Sequence, residues 1–318
     1  LFPYTTLFRS VFLGGVLMGK EFKASILLFI TSIIWGLAFV AQTKGMEYIG
    51  PFTFTAARSV VAIIFLYLTY LFFNKTSKTY REQKFDMNKT LRGGVLCGLV
   101  FTVAMNLQQY GLVYTTAGKA SFLTALYIVF IPIIGIFLGK RINRKLFICI
   151  VLAMAGTYLM SVKGSLNMNI GDIITILSAI VFAVHILMLS EFSKETNAVL
   201  VSMLQFIVCG IISLIMALLF EDISMDTILK SYVPILYVGI LSSGVGFTIQ
   251  LMALKDLEPV IASMISSLES VFGAIFGWII LSQKMSEKEI FGAIIIFVAT
   301  LVAQLPIEKF LKKKITSS

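Results

Sequence analysis

Apolar positions along this chain neither alternate nor form narrow helical stripes; they gather into long, nearly unbroken runs separated by short polar connections. A run of about 20 apolar residues is what a helix needs to cross a hydrocarbon core about 30 Å thick. Ten such runs are predicted, near 24–43, 52–73, 92–113, 117–139, 146–162, 171–190, 198–220, 233–254, 259–281 and 289–305. The fifth and tenth are the shortest, at about 17 residues, the lower bound for crossing without tilt. Only 74–90 is a substantial polar loop. The predicted fold class is therefore an all-α polytopic membrane protein with ten transmembrane helices.

The pattern also repeats. KASFLTALYIVFIPIIGIFLGKRI, from Lys119 to Ile142, has a relative in EPVIASMISSLESVFGAIFGWIILSQKM, from Glu258 to Met285. Ala120-Ser121 aligns with Ala262-Ser263 and Val129-Phe130 with Val271-Phe272 at an offset of 142. A one-residue slip then brings Gly139-Lys140-Arg141-Ile142 onto Ser282-Gln283-Lys284-Met285. Gln108 matches Gln250 at the same offset of 142, while Trp35 matches Phe182 and Arg58 matches Gln205 at 147. The halves so defined, 20–163 and 170–305, each hold five predicted spans. An odd number of crossings forces the second copy to enter the membrane upside down relative to the first, as in transporters whose solute site lies at the midplane between inverted repeats. A basic tail, 306–318, follows.

Composition strengthens the membrane assignment, at 58% hydrophobic and 13% charged residues, against about 45–50% and about 25% for soluble domains. The net charge of +10 raises the question of nucleic acid, but the positive residues are scattered over loops and no nucleic-acid motif accompanies them. With the N-terminus inside, 18 lysines and arginines fall on the inner side and six on the outer, which by the positive-inside rule places both termini in the cytoplasm. Anionic lipid headgroups suffice as partners for that charge. Residues 1–17 are expected to be an artefact: LFPYTTLFRS reads like a translated sequencing adapter, and Met18 resembles a natural start. Cys97, Cys149 and Cys209 lie inside apolar runs without metal-ligand spacing and are expected to be core residues.

Few ionisable groups lie inside the spans, and each asks for a partner, a cavity or a role, since a charge at the bilayer centre costs at least about 2.5–3.5 kcal/mol. Glu269 stands ten residues into its span, about 15 Å deep, as a candidate for proton coupling or for a hydrogen bond to Ser266 or Ser270. Arg58 could bind a carboxylate, pair with Glu269 or snorkel outward. His185 is the single histidine and titrates in the physiological range when unperturbed, so it joins Glu269 as a proton-coupling candidate and is also a cavity candidate. Asn106 and Gln109 share a face of the third span, and Gln205 and Gln250 offer similar amides from the other half; all four could line a cavity or join helices. Trp35 and Tyr127 are candidate aromatic walls. No metal site, cofactor motif, phosphate loop or metalloprotease signature is present in the sequence, and neither an enzyme nor a non-transporting subunit gains support from any motif.

The two segments LTALYIVFIPIIGIFLGKRI and ISSLESVFGAIFGWIILSQKM resemble the paired EamA repeats of the drug/metabolite transporter superfamily, a likeness running from about Lys20 to Leu305. The resemblance implies ten helices around a central cavity, alternating access, and export of a small metabolite or amino acid across a bacterial plasma membrane. Arg58 matches an arginine common in such sequences. Members often carry L-E-P-V where this chain has Leu268-Glu269-Ser270-Val271, and a glutamate where it has Lys140 and Gln283, so no particular subfamily's substrate is implied. Ten spans can enclose a cavity within one chain, which makes a monomer the expected state.

Overall fold

The computed structural model describes residues 19–139, 144–161, 169–282 and 286–304. Residues 1–17 and the basic tail lie outside them, as do Lys140 and Gln283. The described residues are helical between short turns, without a strand. In chain order the helices are α1 Lys20–Gly45, α2 Pro51–Thr76, α3 Lys78–Arg81, α4 Met87–Val113, α5 Ala117–Thr124, α6 Tyr127–Phe137, α7 Arg144–Ser161, α8 Ile170–Ser193, α9 Ala198–Phe220, α10 Met225–Lys230 and α11 Tyr232–Tyr237. A π-helical segment, Val238–Gly246, leads into α12 Phe247–Ala253, followed by α13 Pro259–Ser266, α14 Glu269–Leu281 and α15 Glu287–Gln304.

The helix starts follow from local sequence. Pro51 and Pro259 occupy first-turn positions, where a missing N–H costs nothing. Asp86, Thr116 and Asn197 accept hydrogen bonds from first-turn amides, and Asn169 forms a full capping box with Asp172.

Eight stretches are long and apolar enough to cross a membrane. The predicted fifth and tenth spans are the 18-residue helices α7 and α15, about 27 Å each at 1.5 Å per residue, and they pack against each other. Three predicted spans are not single α-helices. The fourth is interrupted at 125–126 and the ninth at 267–268, while the eighth runs through the wide π turn.

The element starts carry the repeat with constant spacing. Ala117 and Pro259 open α5 and α13, and Tyr127 and Glu269 open α6 and α14, both pairs 142 apart; Pro51 and Ala198 open α2 and α9, 147 apart. Packing repeats as well: α1 lies on α14 as α8 lies on α6, α4 contacts α9 as α2 contacts the π segment, and α2–α9 and α7–α15 are self-matched pairs.

The copies are inverted. Glu221 accepts the amides of Phe52 and Thr53 at 2.8 Å each and the Thr53 hydroxyl at 2.6 Å, covering the start of α2 just after Gly50. Asn197, the equivalent of Gly50, is instead held at the other end of α2, where the Tyr80 hydroxyl donates to its Oδ1 at 3.0 Å. We call these ends the Glu221 face and the Lys20 face. On the Lys20 face Lys89 pairs with Glu195 at 3.1 Å and Lys255 donates to the Thr196 carbonyl at 3.0 Å.

One contact demands glycine. A Cβ on Gly36 would stand 2.5 Å from Phe272 Cβ and 2.7 Å from the Gly273 nitrogen, and one on Gly273 would stand 2.6 Å from Ser121 Oγ. The small residues therefore let α14 lie directly on α1 and α5.

Candidate functional site

The interruptions at 125–126 and 267–268 place the first residues of α6 and α14, Tyr127 and Glu269, on the wall of one central cavity. It is half open, with about 430 Å³ of empty space counting its mouth, within which the centre of a water molecule can range over about 40 Å³. The two repeats contribute matched walls. Trp35 and Phe182, Phe39 and Ile186, Met105 and Phe247, Gln108 and Gln250, and Tyr127 and Glu269 are repeat equivalents, and all ten line the space.

Arg58 reaches the cavity from α2 and is 1% exposed. Its Nε donates to Ser243 Oγ at 3.0 Å and its Nη1 to Gln42 Oε1 at 3.3 Å. Among the described residues it has no carboxylate partner. A buried cation held only by neutral acceptors keeps much of its electrostatic demand unmet.

The π segment supplies part of this geometry. Its wide turn sets two successive serines to work: Ser243 accepts from Arg58, and the Ser242 carbonyl accepts from Trp35 Nε1 at 3.1 Å. Segments of this kind are frequent at functional sites. Trp35 also packs on Phe247 with ring centroids 5.0 Å apart.

Glu269 is 4% exposed, and its Oε1 has no hydrogen-bond partner. The Tyr127 hydroxyl lies within reach of both this carboxyl and Ser266 Oγ without closing a well-formed bond to either. Ser270, the other neighbour considered from sequence, turns to the Ser267 carbonyl instead. Its place in the first turn of α14 gives the carboxyl the positive end of a helix dipole. Chemically, such a group can take up a proton or receive a cationic group of a bound solute. Arg58 and Glu269 thus face one cavity, unpaired with each other.

About one helical turn toward the Glu221 face lies a larger vestibule, where water centres range over about 650 Å³; Thr43, Met46, Leu112 and Glu221 are among its walls. Between the two, the Gln109 amide donates to the Met46 sulfur at 2.9 Å.

Comparison with known proteins places the whole chain. The sequence profile described as the EamA-like transporter family matches residues 22–162 and again 169–304. The chain belongs to the EamA-like transporter family. An uncharacterized transporter of Archaeoglobus fulgidus is 27% identical to it, across 92% of this chain and 89% of that protein. The uncharacterized transporter YoaV of Bacillus subtilis is 23% identical, across 83% of this chain and 91% of its own. A solved structure described only as the crystal structure of a protein shares the fold, with a TM-score of 0.73 at 16% identity, covering 91% of this chain and 98% of that one. This is an integral membrane protein of the transporter class.

Within this EamA architecture the sequence candidates divide. Trp35, Arg58, Tyr127, Gln250 and Glu269 meet at the cavity. Arg58 points inward rather than snorkelling. His185 and Gln205 lie outside the lining and pair with each other, Nε2 to Oε1 at 2.6 Å. Asn106 is engaged with Ser213 across α4 and α9, at 2.9 and 3.1 Å, joining helices. Gln109 is turned to Met46 and leaves its Oε1 unpartnered.

Four polar contributors were not named as site candidates from sequence: Gln42, Thr124, Ser242 and Ser243. Gln42 was findable, as a lone amide two helical turns from Trp35 on the same face. Thr124 was findable through its repeat equivalent Ser266. Nothing in the glycine- and serine-rich VGILSSGVG marks which serine would face inward.

Proposed function

We propose that this protein is a secondary transporter that exports a small polar metabolite or amino acid across the plasma membrane by alternating access, with both termini in the cytoplasm. The observation that carries the reading is the Arg58 guanidinium, buried without a counter-ion in a cavity it shares with Glu269. A solute carboxylate would complete Arg58 through charge-assisted hydrogen bonds, which are about twice as strong as neutral ones. A solute amine, or a proton, would complete Glu269. The amides of Gln42, Gln108 and Gln250 and the aromatic faces of Trp35 and Tyr127 would fix the orientation of what lies between.

The narrow cavity fits a state between openings, with the vestibule as the approach from the Glu221 face. Inverted repeats supply the second opening, since each copy can adopt the pose of the other. The test is purified protein in liposomes, assayed for counterflow of radiolabelled amino acids and of small mono- and dicarboxylates under an imposed pH gradient. Uptake that collapses in Arg58→Ala is expected for a carboxylate-bearing solute. If a broad solute panel gives neither movement nor binding, the transporter reading fails. Loading the solute inside or outside the vesicles then decides direction.

A further inference from the structure

The cavity walls are matched between repeats at five pairs of positions; of the other five lining residues, one, Ser242, comes from the second repeat and four come from the first. Ala38, Gln42, Arg58 and Thr124 face the space, whereas their equivalents His185, Leu189, Gln205 and Ser266 do not. The latter are 0%, 0%, 2% and 1% exposed. The extra residues of the first repeat draw the cavity toward the Glu221 face, because α1 and α2 carry Gln42 and Arg58 near that end. By the inversion, His185, Leu189 and Gln205 lie correspondingly toward the Lys20 face.

One of these silent equivalents carries an unmet polar atom. His185 Nδ1 is buried with no hydrogen-bond partner, although buried polar groups in folded proteins are almost always paired. The distance to the cavity is small. Phe182 and Phe247 line it, and His185 sits behind them, its ring 5.1 Å from Phe101 and 6.4 Å from Phe182 by centroids, with Phe101 only 4.8 Å from Phe247. The rings of Phe101, Phe182 and Phe247 thus lie between His185 and the present solute space.

We propose that His185 and Gln205, with Leu189 beside them, form a second solute site, closed here, that opens toward the Lys20 face when the two repeats exchange poses. The proposal rests on the transporter reading above. Its ligand chemistry differs from that of the Arg58 site. With Gln205 Oε1 as acceptor, His185 Nε2 carries the proton and Nδ1 offers a lone pair. The group received is therefore an N–H or O–H donor, an ammonium or hydroxyl, rather than a carboxylate. Gln205 stands where Arg58 stands in the other copy, so the fixed positive charge that holds a carboxylate is absent. The same solute is gripped by its acidic end on one side and by its donor end on the other.

Single cysteines in a background without Cys97, Cys149 and Cys209 test this in the full-length protein, labelled by a membrane-impermeant sulfonated maleimide applied to each face in turn. Gln42→Cys is expected to label from the Glu221 face. His185→Cys, Gln205→Cys and Leu189→Cys are expected to label only from the Lys20 face. The minor pose of a two-state protein is populated at about 0.1–10%, so their labelling should be about 10- to 1000-fold slower than that of Gln42→Cys. Ile296→Cys, packed in the core at 0% exposure, sets the background.

If all three second-repeat cysteines stay at that background, or label from the Glu221 face, while Gln42→Cys labels normally, the second site is overturned and the transporter reading stands. If Gln42→Cys also stays at background, the transporter reading itself falls. Should His185→Cys fail to fold, Gln205→Cys and Leu189→Cys decide. The ligand chemistry is read on Leu189→Cys, with His185 and Gln205 intact. Protection from the Lys20 face by ethanolamine and not by acetate is expected; protection by acetate, or by neither, overturns the donor assignment.

Discussion

The interrupted pairs α5–α6 and α13–α14 are the same construction placed in the membrane twice, in opposite directions, and they differ in three respects. The first presents a phenol to the cavity, Tyr127, and the second a carboxyl, Glu269. The second lies on its neighbour through Gly36 and Gly273, where the first has Ala183 and Ile131 at the equivalent positions. The first is anchored at the Glu221 face by an ion pair, Lys119 to the fully buried Asp172, which also accepts from Thr115 at 3.0 Å. The equivalents there are Ile261 and Ser25, which cannot form such a pair. Shape is conserved between the copies while charge and contact are not, so a direction is built into a nearly symmetric frame.

The largest break in this comparison is expected from Gly36→Leu. A branched side chain there drives backbone against backbone, beyond the about 1–3 kcal/mol of ordinary overpacking. Size-exclusion profiles of detergent extracts should lose the monodisperse peak. The mirror change Ala183→Gly removes only a methyl group and costs about 1 kcal/mol, visible as a Tm lower by a few degrees; equal damage from both would mean that the glycine contact is not special. Asp172→Ala comes next. It strands Lys119 and the Thr115 hydroxyl, and because Lys119 is 30% exposed the loss should stay at about 2–3 kcal/mol, measured by thermal unfolding in detergent.

Arg58→Ala should lower transport of a carboxylate solute about 30-fold or more, the low end of what removing one partner of a buried charged contact costs. Gln205→Ala, its mirror, should lower it about tenfold, near the worth of one neutral hydrogen bond. Equal losses would erase the distinction between the two sides. Glu269→Gln keeps the size and removes the proton site; the dependence of transport on pH between about 5 and 8 should flatten, and an unchanged profile would take Glu269 out of proton coupling. Tyr127→Phe, the smallest change, leaves a phenyl wall and should alter rates by less than about fivefold, within one net hydrogen bond.

Much of this frame was legible in the chain itself. Unbroken apolar runs set the helices, because lipid requires backbone polar groups to be satisfied within the segment, and the 142 and 147 offsets read from side chains reappear at helix starts. The interruptions were hidden, because both breaks keep right-handed helical angles, with 3-residue-spaced bonds such as Leu126 to Leu123 and Leu268 to Ile265, and Leu123–Ile128 is apolar enough to read as continuous helix. The π turn left no signature in the apolar pattern, and with it went Ser242 and Ser243. The amides were ambiguous for a different reason. Asn106 binding Ser213 and Gln42 binding Arg58 have the same composition signal, and only the packing of α4 on α9 and of α1 beside α2 separates glue from lining.

The narrowness of the central cavity has an electrical meaning. Each water needs about 10–15 Å³ of room for its centre, so the 40 Å³ here holds about three. A hydrocarbon core of about 30 Å, crossed by waters spaced about 2.8 Å apart, calls for a file of about ten. A continuous proton wire across the core therefore needs more water than the central cavity holds.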